Sequence, residues 1–104
     1  MKIALILLAL TVPAWADAPP PPARYDHPFT AQLSIRTVAT LSEANELCKQ
    51  WGPRKVACSS GVLNSHCHII IAQDSALRAI GFTRKASLRH EIAHCNGWGS
   101  DHPK

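Results

Sequence analysis

Apolar and polar residues alternate along short stretches of the chain, and this spacing predicts β-strands. The alternation is clearest over 33–37, where every second residue would share one face. Two further strands are predicted over 54–59 and 66–72, joined by the turn-prone stretch 60–65. The folded part of the chain is therefore expected to begin with a strand.

Helical signals lie between these strands. Thr40, followed three residues later by Glu43, forms a capping-box signature for a helix that runs to about Trp51. The Gly-Pro pair after Trp51 is expected to end that helix. A helical turn is expected over 75–80.

A second helix is predicted near the C-terminus, from a cap at Ser87 to a stop at Gly97. Its core-facing stripe comprises Leu88, Ile92 and Cys95. The predicted order is strand, helix, strand, strand, helix. This order indicates an α+β fold in which a small antiparallel or mixed sheet packs on two helices.

Residues 1–16 have the layout of a secretory signal peptide. Lys2 precedes an apolar run over 3–12, and the small-residue site Ala14-Trp15-Ala16 follows it. The run is too short to span a bilayer, and no cysteine marks a lipid-anchor site at the cut. We therefore expect a secreted or periplasmic chain without a membrane span.

Proline dominates the residues after the signal peptide. Four consecutive prolines over 19–22 favour an extended spacer, so residues 17–28 are assigned to a linker and residues 29–104 to one folded domain. Removing 16 of the 104 residues leaves 88. At that length a core benefits from covalent or metal staples.

The four cysteines of the predicted domain are Cys48, Cys58, Cys67 and Cys95. An exported chain meets an oxidising environment, so two disulfides are expected, and three pairings are open. Strand alternation places Cys67 on the face that the second helix would cover, where Cys95 also points inward. This favours Cys67–Cys95 and Cys48–Cys58. A cysteine zinc site is the alternative, although the chain has no CxxC pair.

The second predicted helix carries the one stretch that indicates a chemistry, His90-Glu91-Ile92-Ala93-His94. Residues four apart share a helix face, so the two histidines can bind one Zn²⁺ while Glu91 acts on a water molecule. The alternative is an ordinary exposed histidine pair on a basic helix.

A catalytic zinc site usually has a third protein ligand, and two residues after the motif are candidates. They are His102 and Asp101. Imidazole is the commonest protein ligand for metals, which favours His102 and leaves Asp101 as the alternative. The residue that does not bind the metal is expected to orient a ligand through a hydrogen bond.

The run from His90 to Trp98 resembles the HExxHxxG motif of the zincin metallopeptidases, in their metzincin and aspartate-ligand branches. It more nearly resembles small secreted bacterial proteins that carry HExxHCxGWxxDH, over about fifteen residues. Ser100 stands where metzincins carry their third histidine, and no methionine follows the motif. The resemblance implies a minimal zincin-like fold, a zinc cofactor and a peptide or protein substrate bound along a strand edge, for which 66–72 is expected.

The motif and the export signal together predict a zinc metallopeptidase with Glu91 as its catalytic general base. The alternative is a non-catalytic, zinc-stabilised binding or inhibitory module, because the chain has little room for the second subdomain that walls most peptidase clefts. Without Lys2, ten Lys and Arg face seven Asp and Glu, a net charge of +3. No nucleic-acid motif accompanies this charge, so no nucleic-acid partner is expected. The sequence carries no signal for the oligomeric state.

Overall fold

A mixed three-stranded sheet lies at the centre of the computed structural model, which describes residues 17–52, 55–63 and 65–104. The strands are β1 (Gln32–Val38), β2 (Ala57–Leu63) and β3 (His66–Ala72). β3 is the middle strand, parallel to β1 and antiparallel to β2. Its Ile69 and Ile71 are buried, so the central strand supplies much of the core.

Three α-helices follow or connect the strands in the described ranges. They are α1 (Leu41–Cys48), which continues into a 3₁₀ turn at Lys49–Trp51, α2 (Asp74–Arg78) and α3 (Arg84–Cys95). Thr40 caps α1, because its Oγ1 accepts a hydrogen bond from the Glu43 backbone N–H at 3.0 Å. The cap confirms the predicted start of this helix.

Two disulfides attach helices to opposite faces of the sheet. Cys67 of β3 is bonded to Cys95 of α3, and Cys48 of α1 to Cys58 of β2. Cys58 pairs with Ile70 in the sheet register, an odd number of positions from Cys67, and successive strand residues point to opposite faces. α1 and α3 therefore cover different faces. Both predicted disulfide pairs and the α+β class are confirmed.

α3 begins earlier than predicted. Its first residue is Arg84, because Thr83 is the cap and its Oγ1 accepts the Ala86 backbone N–H at 3.2 Å. Ser87, the predicted cap, lies buried inside the helix. The helix therefore has an extra turn before the histidine motif.

β2 also differs from its predicted bounds. It begins at Ala57 and continues to Leu63, through a register irregularity between Ser59 and Val62. Such an irregularity accommodates an extra residue without ending the strand pairing. Most of the predicted turn 60–65 is therefore strand.

The segment 17–28, predicted as a linker, lies along α3. At one end, the Asp17 carboxylate accepts hydrogen bonds from the Thr83 backbone N–H at 3.0 Å and the Thr83 hydroxyl at 2.9 Å. At the other end, Asn96 Nδ2 donates to the Tyr25 carbonyl at 3.0 Å. This N-terminal segment (17–28) is therefore in contact with both ends of the helix.

Within the residues that the structure describes, no helix has the length and apolar character needed to cross a membrane. The two disulfides indicate an oxidising environment. The predicted signal peptide at 1–16 lies outside the described residues.

Candidate metal centre

Two imidazoles project from adjacent turns of α3. His90 and His94 are four residues apart, so they share one helix face, and their Nε2 atoms lie 3.3 Å apart. His90 is buried and His94 is half-buried. The helix alone therefore brings two ligand atoms to one point.

The chain after α3 turns back and brings a third imidazole to the same point. Gly97 has a φ of 104°, a conformation that favours glycine, and the Trp98 backbone N–H donates to the Ala93 carbonyl at 3.0 Å. After this turn, His102 Nε2 lies 3.1 Å from that of His90 and 3.2 Å from that of His94. The three Nε2 atoms form a nearly equilateral triangle, and this His90-His94-His102 cluster could hold a metal ion.

Asp101, the alternative third ligand, does not belong to this group. One of its carboxylate oxygens lies against Gly99, 2.7 Å from where a Cβ of that residue would be. A side chain at Gly99 would therefore displace the Asp101 carboxylate. The structure brings His102, and not Asp101, to the two motif histidines.

Backbone carbonyls orient two of the three rings by accepting hydrogen bonds from their Nδ1 atoms. His90 Nδ1 lies 2.8 Å from the Pro19 carbonyl oxygen, and His94 Nδ1 lies 2.7 Å from that of Trp98. A carbonyl can only accept, so each Nδ1 carries the hydrogen and each Nε2 keeps a free lone pair. Both rings therefore present the atom that a metal needs.

Burial also favours the neutral form of these rings. Desolvation lowers the pKa of His90 and of His94, and the charge of the neighbouring His102 acts in the same direction. A histidine ligand must be neutral to bind a metal. The environment therefore prepares both imidazoles for coordination at neutral pH.

Trp98 packs against all three imidazoles of the cluster. Its ring is stacked on that of His94, with centroids 5.0 Å apart and planes at 14°, and its edge contacts involve His90 and His102. Its Nε1 donates to the Pro103 carbonyl at 2.8 Å. The buried indole therefore ties the segment after the helix to the three imidazoles.

Glu91 lies in the same cleft as the histidines. The residue is only 8% exposed, and this burial raises the pKa of its carboxyl from 4.5 to about 7, against the opposing charge of Lys55. A carboxyl with such a pKa exchanges protons near neutral pH. Glu91 therefore offers a carboxyl suited to the proton transfer that the motif predicts.

The cluster opens into a cleft of about 470 Å³. The cleft is lined by the N-terminal segment at Ala18 and Pro19, by Trp51, and by β2 residues over 57–61. Trp51 is 43% exposed, so an aromatic face remains available to a bound molecule. The cleft has both polar and apolar walls.

β2, and not the predicted β3, provides the strand beside this cleft. β3 is hydrogen-bonded to a neighbour on each side, so it has no free edge at which a peptide could add as a strand. β2 is an edge strand and lines the cleft. The expectation for 66–72 was wrong, because residue spacing does not reveal which of three strands lies in the middle.

Two residues of the site carry no signal in the sequence. Pro19 contributes only its backbone carbonyl, so its residue type does not reveal the contact. Lys55 lines the cleft from the segment just before β2, far from the motif in the chain. Neither could be identified without the three-dimensional arrangement.

No known protein family, no curated protein and no solved structure matches this chain. The geometry of the cluster and its cleft is therefore the basis for assigning a chemistry.

Proposed function

We propose that this chain is a zinc-dependent peptidase. The observation that carries the proposal is the convergence of three histidine Nε2 atoms in one cleft with the buried carboxyl of Glu91. The resemblance of the motif to that of the zincins points the same way.

The donor set fits zinc. Zinc binds imidazole nitrogen at about 2.0–2.1 Å in tetrahedral geometry, which places neighbouring ligand nitrogens about 3.3 Å apart. The three Nε2 separations are 3.1, 3.2 and 3.3 Å. The triangle therefore supports a tetrahedral ion with three protein ligands.

The number of ligands supports a catalytic site. No fourth His, Cys, Asp or Glu joins the three histidines among the described residues. Structural zinc sites have four protein ligands, whereas catalytic sites have three and an open position. Asp101 outside the cluster therefore favours catalysis over a closed structural site.

A zinc ion held by His90, His94 and His102 would supply Lewis acidity, which polarises a carbonyl group and makes a nearby water more acidic. Glu91 serves as the general base, because its carboxyl lies in the cleft and its pKa of about 7 suits proton transfer at neutral pH. Glu91 accepts a proton from the attacking water and returns it to the leaving amine. His90 and His94 stay neutral, held by the Pro19 and Trp98 carbonyls.

The free edge of β2 is the proposed site for the substrate backbone. An extended peptide can pair with an exposed strand edge through main-chain hydrogen bonds, and residues 57–61 of β2 lie beside the cluster. The peptide bond to be cut would then pass in front of the histidines. A peptide or protein is therefore the proposed substrate class.

Metal content and peptide cleavage test the proposal on four purified proteins. Wild type should contain about one zinc per chain and cleave members of a peptide library. His94→Ala should lose the zinc, and Glu91→Gln should keep it but cleave about 10²- to 10⁴-fold more slowly. His68→Ala, an exposed histidine on β3, is the matched control and should behave as wild type. A folded wild type that takes up no zinc, or equal cleavage by Glu91→Gln, would refute the proposal.

One observation favours a second function, a non-catalytic zinc-stabilised module. The cluster joins the N-terminal segment, through Pro19 and His90, to the chain after α3, through His102, so a bound ion would hold distant segments together. Such a module would gain stability from zinc without cleaving any peptide, and Glu91→Gln would then have no functional effect. Zinc-dependent thermal stability measured beside the cleavage assay separates the two functions.

A further inference from the structure

A lysine side chain shares the cleft with the histidine cluster. Lys55 is half-buried and lines the same cavity as His90, Glu91 and His94. The cleft therefore holds a cation besides any metal ion.

The path of this side chain is constrained by its neighbours. The Lys55 backbone N–H donates to Asn45 Oδ1 at 3.1 Å, which ties the segment before β2 to α1. The stem then passes Gly52, where a Cβ would lie only 3.2 Å from Lys55 Cε. Gly52 also has a φ of 130°, a conformation that favours glycine. The turn thus leaves room for the lysine stem and limits where it can go.

Lys55 lacks an ion-pair partner in the described part of the chain. The three ion pairs found there are Lys49–Glu46, Arg78–Asp74 and Arg89–Asp26. An ammonium without a protein partner is open to an anion, and a ligand anion that reached the cleft would pair with it. Among common groups of peptides, only a carboxylate is an anion, either at the C-terminus or on an acidic side chain.

We propose that Lys55 is the anchor for a substrate carboxylate, so that this cleft selects peptides with a carboxylate close to the bond that is cut. The proposal rests on the proposed peptidase function, and it deepens that function by naming the substrate class. The carboxylate pairs with the Lys55 ammonium, and the exposed ring of Trp51 offers an apolar contact for the adjoining side chain.

The test measures peptide binding to Glu91→Gln, in which cleavage is expected to be too slow to disturb a binding measurement. Three N-acetylated peptides of one neutral sequence are compared: a free C-terminus, an amidated C-terminus, and an amidated C-terminus with one Asp. A charge-assisted contact of this kind is worth on the order of 10- to 100-fold in affinity. We expect at least one of the two carboxylate peptides to bind more tightly than the neutral amide by this factor. The peptide whose affinity increases shows whether Lys55 binds a C-terminal or a side-chain carboxylate.

Variants at Lys55 assign the preference to this residue. Lys55→Met in the Glu91→Gln background should remove the preference, Lys55→Arg should keep it, and Lys85→Met, an exposed lysine of α3 outside the cleft, should not change it. Because zinc itself attracts carboxylates, the comparison is repeated on protein stripped of metal with EDTA. The preference there should persist and should weaken with salt.

Two results would overturn the proposal. In one, the carboxylate and neutral peptides bind equally. In the other, Lys55→Met weakens all three peptides by the same factor, which would mean a role in general cleft structure or in the reaction itself. Zinc content, measured on the same samples, reports separately on the proposed function, because a failure to bind zinc leaves the peptide preference of the metal-free protein measurable.

Discussion

Glu91 makes the stability of the metal-free protein depend on pH in a way that one substitution can isolate. Burial raises the pKa of its carboxyl from 4.5 to about 7, so the folded state binds this proton more tightly than the unfolded state. The contribution to stability is fully present below pH 4.5 and is lost as pH rises through 7. At about 1.4 kcal/mol per pH unit, the loss is about 3 kcal/mol.

Glu91→Gln removes this dependence, because glutamine does not titrate. In wild type alone, the change of stability with pH would include other groups besides Glu91. Burial lowers the pKa of His90 and His94, so their contribution to folding stability rises as pH increases towards 6.5. Both proteins share those histidines. The difference in unfolding free energy, Glu91→Gln minus wild type, should therefore grow by about 3 kcal/mol between pH 4 and pH 8.

Urea denaturation of EDTA-treated protein at intervals of one pH unit measures that difference directly. Zinc-loaded protein should show a smaller growth, because the nearby cation offsets the charge of the carboxylate. A difference that stays constant from pH 4 to pH 8 in the metal-free proteins would contradict the burial of Glu91 and its assignment as a proton acceptor near neutral pH.

Three other substitutions test the supports of the cluster. Replacing both Cys67 and Cys95 by Ser should lower the free energy of unfolding by about 3 to 4 kcal/mol, because the bridge that spans 28 positions restricts the unfolded chain. The same double substitution should weaken zinc binding. Urea denaturation and zinc content measure the two effects, and unchanged stability would be inconsistent with the bridge. Asp17→Ala should loosen the N-terminal segment and raise the Kd for zinc, measured by chelator competition, by up to about 10-fold. An unaltered Kd would mean that the segment does not orient His90 for metal binding. Gly97→Ala should lower the free energy of unfolding, measured by thermal denaturation, by about 1 to 3 kcal/mol, because a φ of 104° strains any other residue. It should also reduce zinc content by displacing His102. Wild-type values in both assays would exclude this role for Gly97.

Features that depend on neighbouring residues could be predicted from the sequence. Thr40 caps α1 through a residue three positions away, and the alternation around Cys67 indicated the face that α3 covers. The two motif histidines share a face because helix geometry requires it. In each case the pattern that carries the prediction lies among residues close in sequence, although the Cys67–Cys95 bridge itself joins positions 28 apart.

Features that depend on distant residues could not be predicted. The start of α3 is an exception, because the capping bond from the Ala86 backbone N–H to Thr83 Oγ1 is local, but Ser87 offered a competing cap pattern in the sequence. The middle position of β3 depends on a parallel pairing with β1 that alternation cannot reveal. For the third ligand, spacing left both Asp101 and His102 open, and only the turn at Gly97 brings one of them to the cluster.

The hydrogen bond between Pro19 and His90 bears on when the cluster could first hold a metal ion. These residues are 71 positions apart, and His102 lies a further 12 positions along the chain. Ribosomes release the N-terminal end first, so a growing chain cannot hold an ion in this site until His102 has emerged and folded back. Contacts of such long range also form late in folding. For the proposed metal site, the compartment in which folding is completed, and not the one in which synthesis begins, would therefore determine which ion binds.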